Sequence, residues 1–352
     1  MPWSVRAVPL PDEDQPAEVW IDATGCVSAG PVPDSEPLPG RYVAPGLVDA
    51  HAHPCVGPGP AARNRAETLE ELTAWAASGV CLVRDTGSPG GSALQLDPGP
   101  GRPRLQAAGR FLAPAGRYFP ALLPEEVPQQ RLTELALAEL ARGARWVKVI
   151  ADFPPVVDGT PSGPAGLTYS PEAVEAMTAA VHAAGGRVAA HVTTDAVAHL
   201  VRAGVDSVEH GTALDESTLR LMAQAGTAWT PTLCAVLAVP GTAPDKVRRR
   251  VAEYRERLGE LLPVAHRLGV PILTGTDVAG TLAREVALLA EHGLPPAAAL
   301  AAATTTGYRF LGEPFDQPGR PATLVTYQDD PREDLAVLSS PSAVLIDGVR
   351  VR

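Results

Sequence analysis

The chain has 352 residues, with 29 Lys and Arg against 40 Asp and Glu, a formal net charge of −11 at pH 7. Its 45% hydrophobic and 20% charged residues suffice for a full core, which excludes a disordered chain. The negative balance argues against nucleic acid or an anionic membrane surface as a partner.

Residues 1–45 read as short strands broken by turns: Ala17–Ile21 alternates and is followed by the turn Asp22-Ala23-Thr24-Gly25. From Gly46 onward, apolar runs precede helical periodicity again and again. Gly46–His51 leads to Thr68–Ala77, Val80–Asp85 to a Gly/Ser-rich turn and a weak helix, and Leu105–Leu112 to Gln129–Arg142. Trp146–Ala151 leads to Pro171–Ala184, Arg187–His191 to Asp195–Ala203, and Ser207–His210 to Glu216–Ala225. Ala228–Leu233 leads to Asp245–Leu268 and Val270–Thr274 to Ala283–His292, with one more Ala-rich helix around Pro296–Phe310. Eight βα units in about 260 residues predict an α/β chain with a closed (β/α)8 TIM barrel over 46–312. A doubly wound open sheet is disfavoured because no GxGxxG follows a strand. Strands return at the far end in Ala322–Tyr327 and Ala343–Ile346, with Asp347-Gly348 as a hairpin turn. A small β-sandwich-like domain built from 1–45 and 313–352 is therefore expected.

The four cysteines, Cys26, Cys55, Cys81 and Cys234, form no CxxC pair and are too few for a disulfide framework. Free thiols in a reducing compartment are expected. No signal-peptide pattern and no apolar window of membrane-spanning length is visible, so a cytoplasmic location is expected.

In a barrel of this kind the chemistry sits where strands end. The first predicted strand ends in His51-Ala52-His53, and residues i and i+2 face the same way, so two imidazoles share one side. The fourth carries Lys148 between valines, either snorkelling to the rim or desolvated with a lowered amine pKa. A neutral amine there can take up CO2 to become a carbamate. The fifth ends in His191, the sixth in Glu209-His210-Gly211 and the eighth in Thr276-Asp277. Four of the eight histidines thus fall at strand ends, while His182, His199, His266 and His292 fall in helical patterns.

The ordered set APGLVDAHAH, WVKV, AAHV, GVDSVEHGT and LTGTD resembles the amidohydrolase superfamily, in its imidazolonepropionase/prolidase-like branch. The likeness extends over nearly the whole chain, through PEAVEAMTAAVHAAGGRVAAH, EVALLAEHGLPPAAALAAATTTGYRFLG and the closing PATLVTYQDDPREDLAVLSSPSAVLIDGVRV. It implies two divalent metal ions, most often zinc. His51, His53 and Asp277 would hold the more buried ion, carboxylated Lys148 would bridge both, and His191 and His210 would hold the second. Two departures are visible: Val192-Thr193-Thr194 stands where relatives often have another His and a Gly, and Thr323 stands where an Asp is common.

The implied activity is hydrolysis of a C–N bond, in an amide, cyclic amide or dipeptide, by a metal-bound hydroxide. Asp277 would take the water's proton and pass it to the leaving nitrogen. His210 would ligate metal or polarise the carbonyl, and the sequence leaves both open. Asp49 or Thr276 would orient the imidazoles, whereas strand alternation turns Glu209 away from the metal. Substrate contacts are expected from loops over the barrel mouth: Arg117, Tyr118 and Phe119, the Pro/Gly-rich lid candidate at 152–168, and Tyr169. Arg84 would meet a substrate carboxylate or pair with Asp85 or a neighbouring strand. Cys55 reads as a packed residue.

A heterocycle deaminase, a lactonase and a catalytically silent scaffold are the competing readings. Partners are expected to be a small-molecule substrate, with no nucleic acid or membrane, and a homo-oligomer on general grounds.

Overall fold

The computed structural model describes residues 1–315 and 317–352. Strand Trp3–Pro9 pairs antiparallel with Ala17–Ile21 and parallel with Glu36–Pro37 and Tyr42–Pro45. Tyr42–Pro45 in turn pairs antiparallel with Leu324–Tyr327, which pairs with Ala343–Ile346. One eight-stranded set of pairings is thus made from both ends of the chain, with Glu36–Pro37 branching off the main run at Trp3–Pro9. It carries its own apolar cluster, including Val5, Ile21, Leu38, Val43, Leu324 and Leu345. The Asp347-Gly348 signal forms the expected hairpin, with φ of 49° and 78° at its two residues, the left-handed pair that a tight two-residue turn requires.

The middle of the chain holds two parallel sheets. One joins Leu47–Ala52, Val80–Asp85 and Arg104–Ala107. The other joins Phe111–Leu112, Trp146–Ile150, Arg187–Val192, Ser207–His210 and Ala228–Thr230. These strands are buried almost throughout, as parallel strands covered on both faces must be. The third expected strand is split, because Ala108–Arg110 leaves the ladder between its two halves.

The eighth expected strand, Val270–Thr274, is not a regular strand. Ile272 bridges Trp229 and Asp277 bridges Ala52, and nothing longer forms. Pro271 lacks an N–H to donate, and Asp277 sits at a φ of 57°, so the extended repeat is interrupted. The stretch still hydrogen-bonds to both sheets: Leu273 N donates to Trp229 O at 2.9 Å, and Ala50 N donates to Thr274 O at 2.8 Å. It therefore lies between the last strand of one sheet and the first of the other.

Helices follow most of the strands where the periodicity placed them, but the single helix expected around Pro296–Phe310 forms as two, Pro296–Ala302 and Thr305–Leu311. Asn64 and Glu67 form a reciprocal cap on Arg65–Ala77, and Ser170 caps Pro171–Ala183. Asp215 opens Glu216–Ala225, which Gly226 closes in the left-handed region. The predicted lid region folds as two small antiparallel pairs, Asp152–Phe153 with Gly166–Leu167 and Val156–Val157 with Thr160–Pro161. Among the described residues no helix is long and apolar enough to cross a membrane.

Candidate metal centre

The strand Leu47–Ala52 carries His51 to its end, and His53 follows two residues on, with ring centroids 5.2 Å apart. Asp277 reaches the same place from the irregular eighth segment, because its N–H donates to His51 O at 2.7 Å. One Asp277 oxygen lies 3.3 Å from His53 Nε2 and 3.8 Å from His51 Nε2. A donor atom from each of the three residues lies within 4.8 Å of the others, a spacing one cation can span. The His191 and His210 rings are 4.5 Å apart, and His210 is 5.0 Å from His51. All five residues and Lys148 line one cavity of about 250 Å³.

The protonation states suit a cation. Burial holds His51 and His191 well below the usual imidazole range and takes His210 down to about 3, so these rings are neutral at pH 7, with a lone pair free for a cation. Burial pushes Asp277 up, but the His53 contact together with the surrounding His51, His53 and His210 imidazoles outweighs it and holds the carboxyl far below its ordinary value. Lys148 is 1% exposed, and its Nζ has no hydrogen-bond partner among the described residues. Burial lowers its amine to about 8. An ammonium stranded without a partner is costly, and the residues around it are metal-ligand types, so the donor set fits a cation better than it fits an apolar core.

Each of three rings has its second nitrogen fixed. His51 Nδ1 bonds Glu209 Oε2 at 2.5 Å, His53 Nδ1 bonds Gly87 O at 2.8 Å and His210 Nδ1 bonds Thr232 Oγ1 at 2.7 Å. That leaves Nε2 of each for a ligand. Asp49 accepts from Thr276 Oγ1 at 2.6 Å and from the His51 N–H at 3.2 Å, tying together the two segments that carry His51 and Asp277. Burial raises the Asp49 carboxyl to about 6 against those bonds.

Backbone strain collects here. His210, Thr232 and Asp277 have φ of 69°, 50° and 57°, three of the six non-glycine residues with positive φ among those described. Glu285 secures the Thr232 corner by accepting from the N–H groups of Leu233 and Cys234 at 2.8 and 2.7 Å.

Of the expected substrate contacts, Tyr118 lines the cavity, together with its neighbour Phe119. Three others do not line it. Arg84 is fully buried and donates to Glu209 Oε1 at 2.8 Å, to Ser207, to Thr230 and to Ala50 O, while lying 4.5 Å over the Trp146 ring. A buried guanidinium needs an anion, and Glu209 supplies it. Arg117 donates to the carbonyls of Phe153, Gly166 and Leu167, clasping the hairpin over the mouth. Tyr169 points into the core, where its hydroxyl donates to Val127 O at 2.8 Å. Cys55 is buried with its thiol pushed up to about 11 by burial, as a packed residue would be, and all four cysteines are free.

Two contributors were not expected. Glu209 does face away from the cavity, yet it orients His51 from behind; the signal was a carboxylate between apolar residues, which burial obliges to find a partner. Asp152 accepts from the backbone and hydroxyl groups of both Thr193 and Thr194, which gives that departure from the resembled pattern a structural use.

Glu209→Gln takes the anion from both His51 and Arg84. Zinc affinity is expected to fall 10–100-fold and stability by about 3–5 kcal/mol. Zinc titration and urea unfolding would read these, and wild-type values for both would remove Glu209 from the orienting role.

The Amidohydrolase family model matches residues 42–351. An uncharacterized protein of Mycobacterium tuberculosis (strain ATCC 25618 / H37Rv) is 35% identical over 98% of this chain and 94% of its own length. The ochratoxinase of Aspergillus niger is 26% identical over 58% of this chain and 45% of its own length. A prolidase solved with N-methylphosphonate-L-proline superposes with a TM-score of 0.81 at 23% identity, covering 100% of both chains, a likeness of fold.

Proposed function

Because the chain belongs to the amidohydrolase family, we propose that it is a metal-dependent hydrolase cleaving a C–N bond of a small molecule, in an amide, cyclic amide or dipeptide. The observation that carries this is the unpartnered, buried Lys148 amine in one cavity with four histidines and an ionised Asp277. In this reading residues 46–312 are a (β/α)8 barrel, with 1–45 and 313–352 as a second, β domain. The hydrogen-bonded eighth segment between the two parallel sheets supports that closure.

His51, His53 and Asp277 would hold one divalent ion, His191 and His210 a second, and Lys148, as its carbamate, would serve both. Imidazole and carboxylate donors suit zinc. When bound, the ions would supply Lewis acidity and lower the pKa of a water to about 7.

The chain's own residues do the rest. An amine lowered to about 8 has a neutral fraction able to take up CO2 near neutral pH. Asp277, ionised and open to the cavity, accepts the proton of the attacking water and returns it to the leaving nitrogen. His210, locked by Thr232, presents Nε2 to the ion or to the substrate carbonyl. Tyr118, Phe119, Leu122 and Phe153 line the same cavity and limit the water that reaches the reacting bond.

Metal analysis with turnover assays on N-acyl amino acids, simple amides, dipeptides, cyclic ureides and lactones tests this. Zinc-dependent release of amine from an amide is expected. Metal-loaded protein that turns over only lactones or only heterocyclic amino groups would replace the amide reading, and protein inert on every class would indicate a silent relative.

A further inference from the structure

Besides the candidate ligands, the cavity is lined by apolar side chains, among them Val56, Tyr118, Phe119, Leu122 and Phe153. Three of these rings pack mutually, with centroids 5.3 Å apart for Tyr118 and Phe119, 5.1 Å for Tyr118 and Phe153, and 5.3 Å for Phe119 and Phe153. The cluster reaches the histidines directly, since Phe153 lies 5.7 Å from the His191 ring. A bond held at the imidazoles therefore has its substituents within contact of aromatic faces.

Apart from Lys148, assigned above to the metal site, the side-chain cations nearby are already engaged. Arg117 holds three carbonyls of the hairpin, and Arg84 holds Glu209. Arg63, beside an adjoining cavity of about 230 Å³, is paired with Glu71 at 3.1 Å and donates to Pro54 O. A carboxylate laid on the ring wall would lose its water and meet apolar faces. An uncharged ring in the same place gains burial and edge-to-face contact.

We propose that the substrate is a small neutral amide bearing an apolar ring that packs on the Tyr118, Phe119 and Phe153 wall, and that the site disfavours the same amide carrying a free carboxylate on that arm. This rests on the hydrolytic reading of the same cavity and narrows it.

A matched pair tests it. N-acetylphenethylamine and N-acetylphenylalanine share the amide and the ring and differ only by the carboxylate. Affinity of each for zinc-loaded protein is measured by calorimetry, and turnover is measured separately. The neutral compound is expected to bind at least tenfold more tightly. Equal affinity, tighter binding of the acid, or no binding of either at millimolar concentration overturns the proposal. Tighter binding of the acid that is lost in Arg63→Gln would assign the carboxylate to Arg63 instead. Phe119→Arg places a cation at the half-buried edge of the wall and is expected to reverse the order of the pair, while Phe119→Leu is expected to keep it. Binding without hydrolysis of either compound counts against the hydrolytic reading and leaves the neutral-ring preference standing, so the two failures are separable.

Discussion

Asp277→Asn is expected to keep most of its zinc while losing turnover by about 10²–10⁴-fold, the range for removing a proton-transfer group. The substitution isolates that role for two reasons. Asp277 sits at a φ of 57°, a conformation that Asn adopts nearly as easily as Asp, so the backbone at the end of the eighth segment is undisturbed. An amide oxygen also keeps a lone pair where the carboxylate oxygen stood, 3.3 Å from His53 Nε2, so a donor for a cation remains. What disappears is the ability to take up a proton from water. Metal content by atomic absorption and turnover on one amide decide the matter together. Turnover within a few-fold of wild type sinks the proton-transfer role. Parallel loss of metal and activity makes Asp277 chiefly a ligand.

Lys148 gives the second large effect, and it divides into two opposite signs. Lys148→Ala is expected to lose metal, and added short carboxylic acids are expected to restore part of it by standing in for the missing carbamate. Two metals per chain in the variant would end the bridging role. Without metal or CO2 the same amine is a burden on the fold. Its pKa falls from 10.5 to about 8 on burial, so the unfolded chain binds more protons than the native one between those values. Stability of the metal-free wild type should therefore rise as pH increases from about 8 to 10.5, and below that window the penalty should be fully present, at roughly 3 kcal/mol. Lys148→Met removes the penalty, so its metal-free form is expected to be more stable than wild type near pH 7 and to lack this rise. Urea unfolding at pH 7 and pH 10 in CO2-free buffer reads both.

The residues that line the cavity were legible because each ends or interrupts an apolar run. His51, His53, Lys148, His191, His210 and Asp277 are polar side chains at positions where a buried strand has no use for them. What lay behind them was hidden. Glu209 stands one residue before His210, and alternation correctly turns it from the cavity, but nothing local indicates that Arg84, 125 residues earlier, waits on that side. Arg84, Arg117 and Tyr169 looked like substrate contacts because their residue types suit that role; each is taken up by an acceptor distant in sequence. The eighth strand was misjudged for a local reason: an apolar run predicts burial, while Pro271 and the left-handed Asp277 forbid a regular ladder. The small sheet was legible as strands at both ends of the chain, but which of them pair is a matter of long-range contact that periodicity does not carry.

The shared sheet also ties the two ends of the chain together in time. Tyr42–Pro45 has Trp3–Pro9 on one side from the start, but its neighbour on the other side is Leu324–Tyr327, which is made late. A ribosome adding about 5–20 residues per second takes on the order of tens of seconds to produce that neighbour. Throughout that interval one edge of the early strands lacks its eventual partner, so the small sheet is completed only when the far segment emerges.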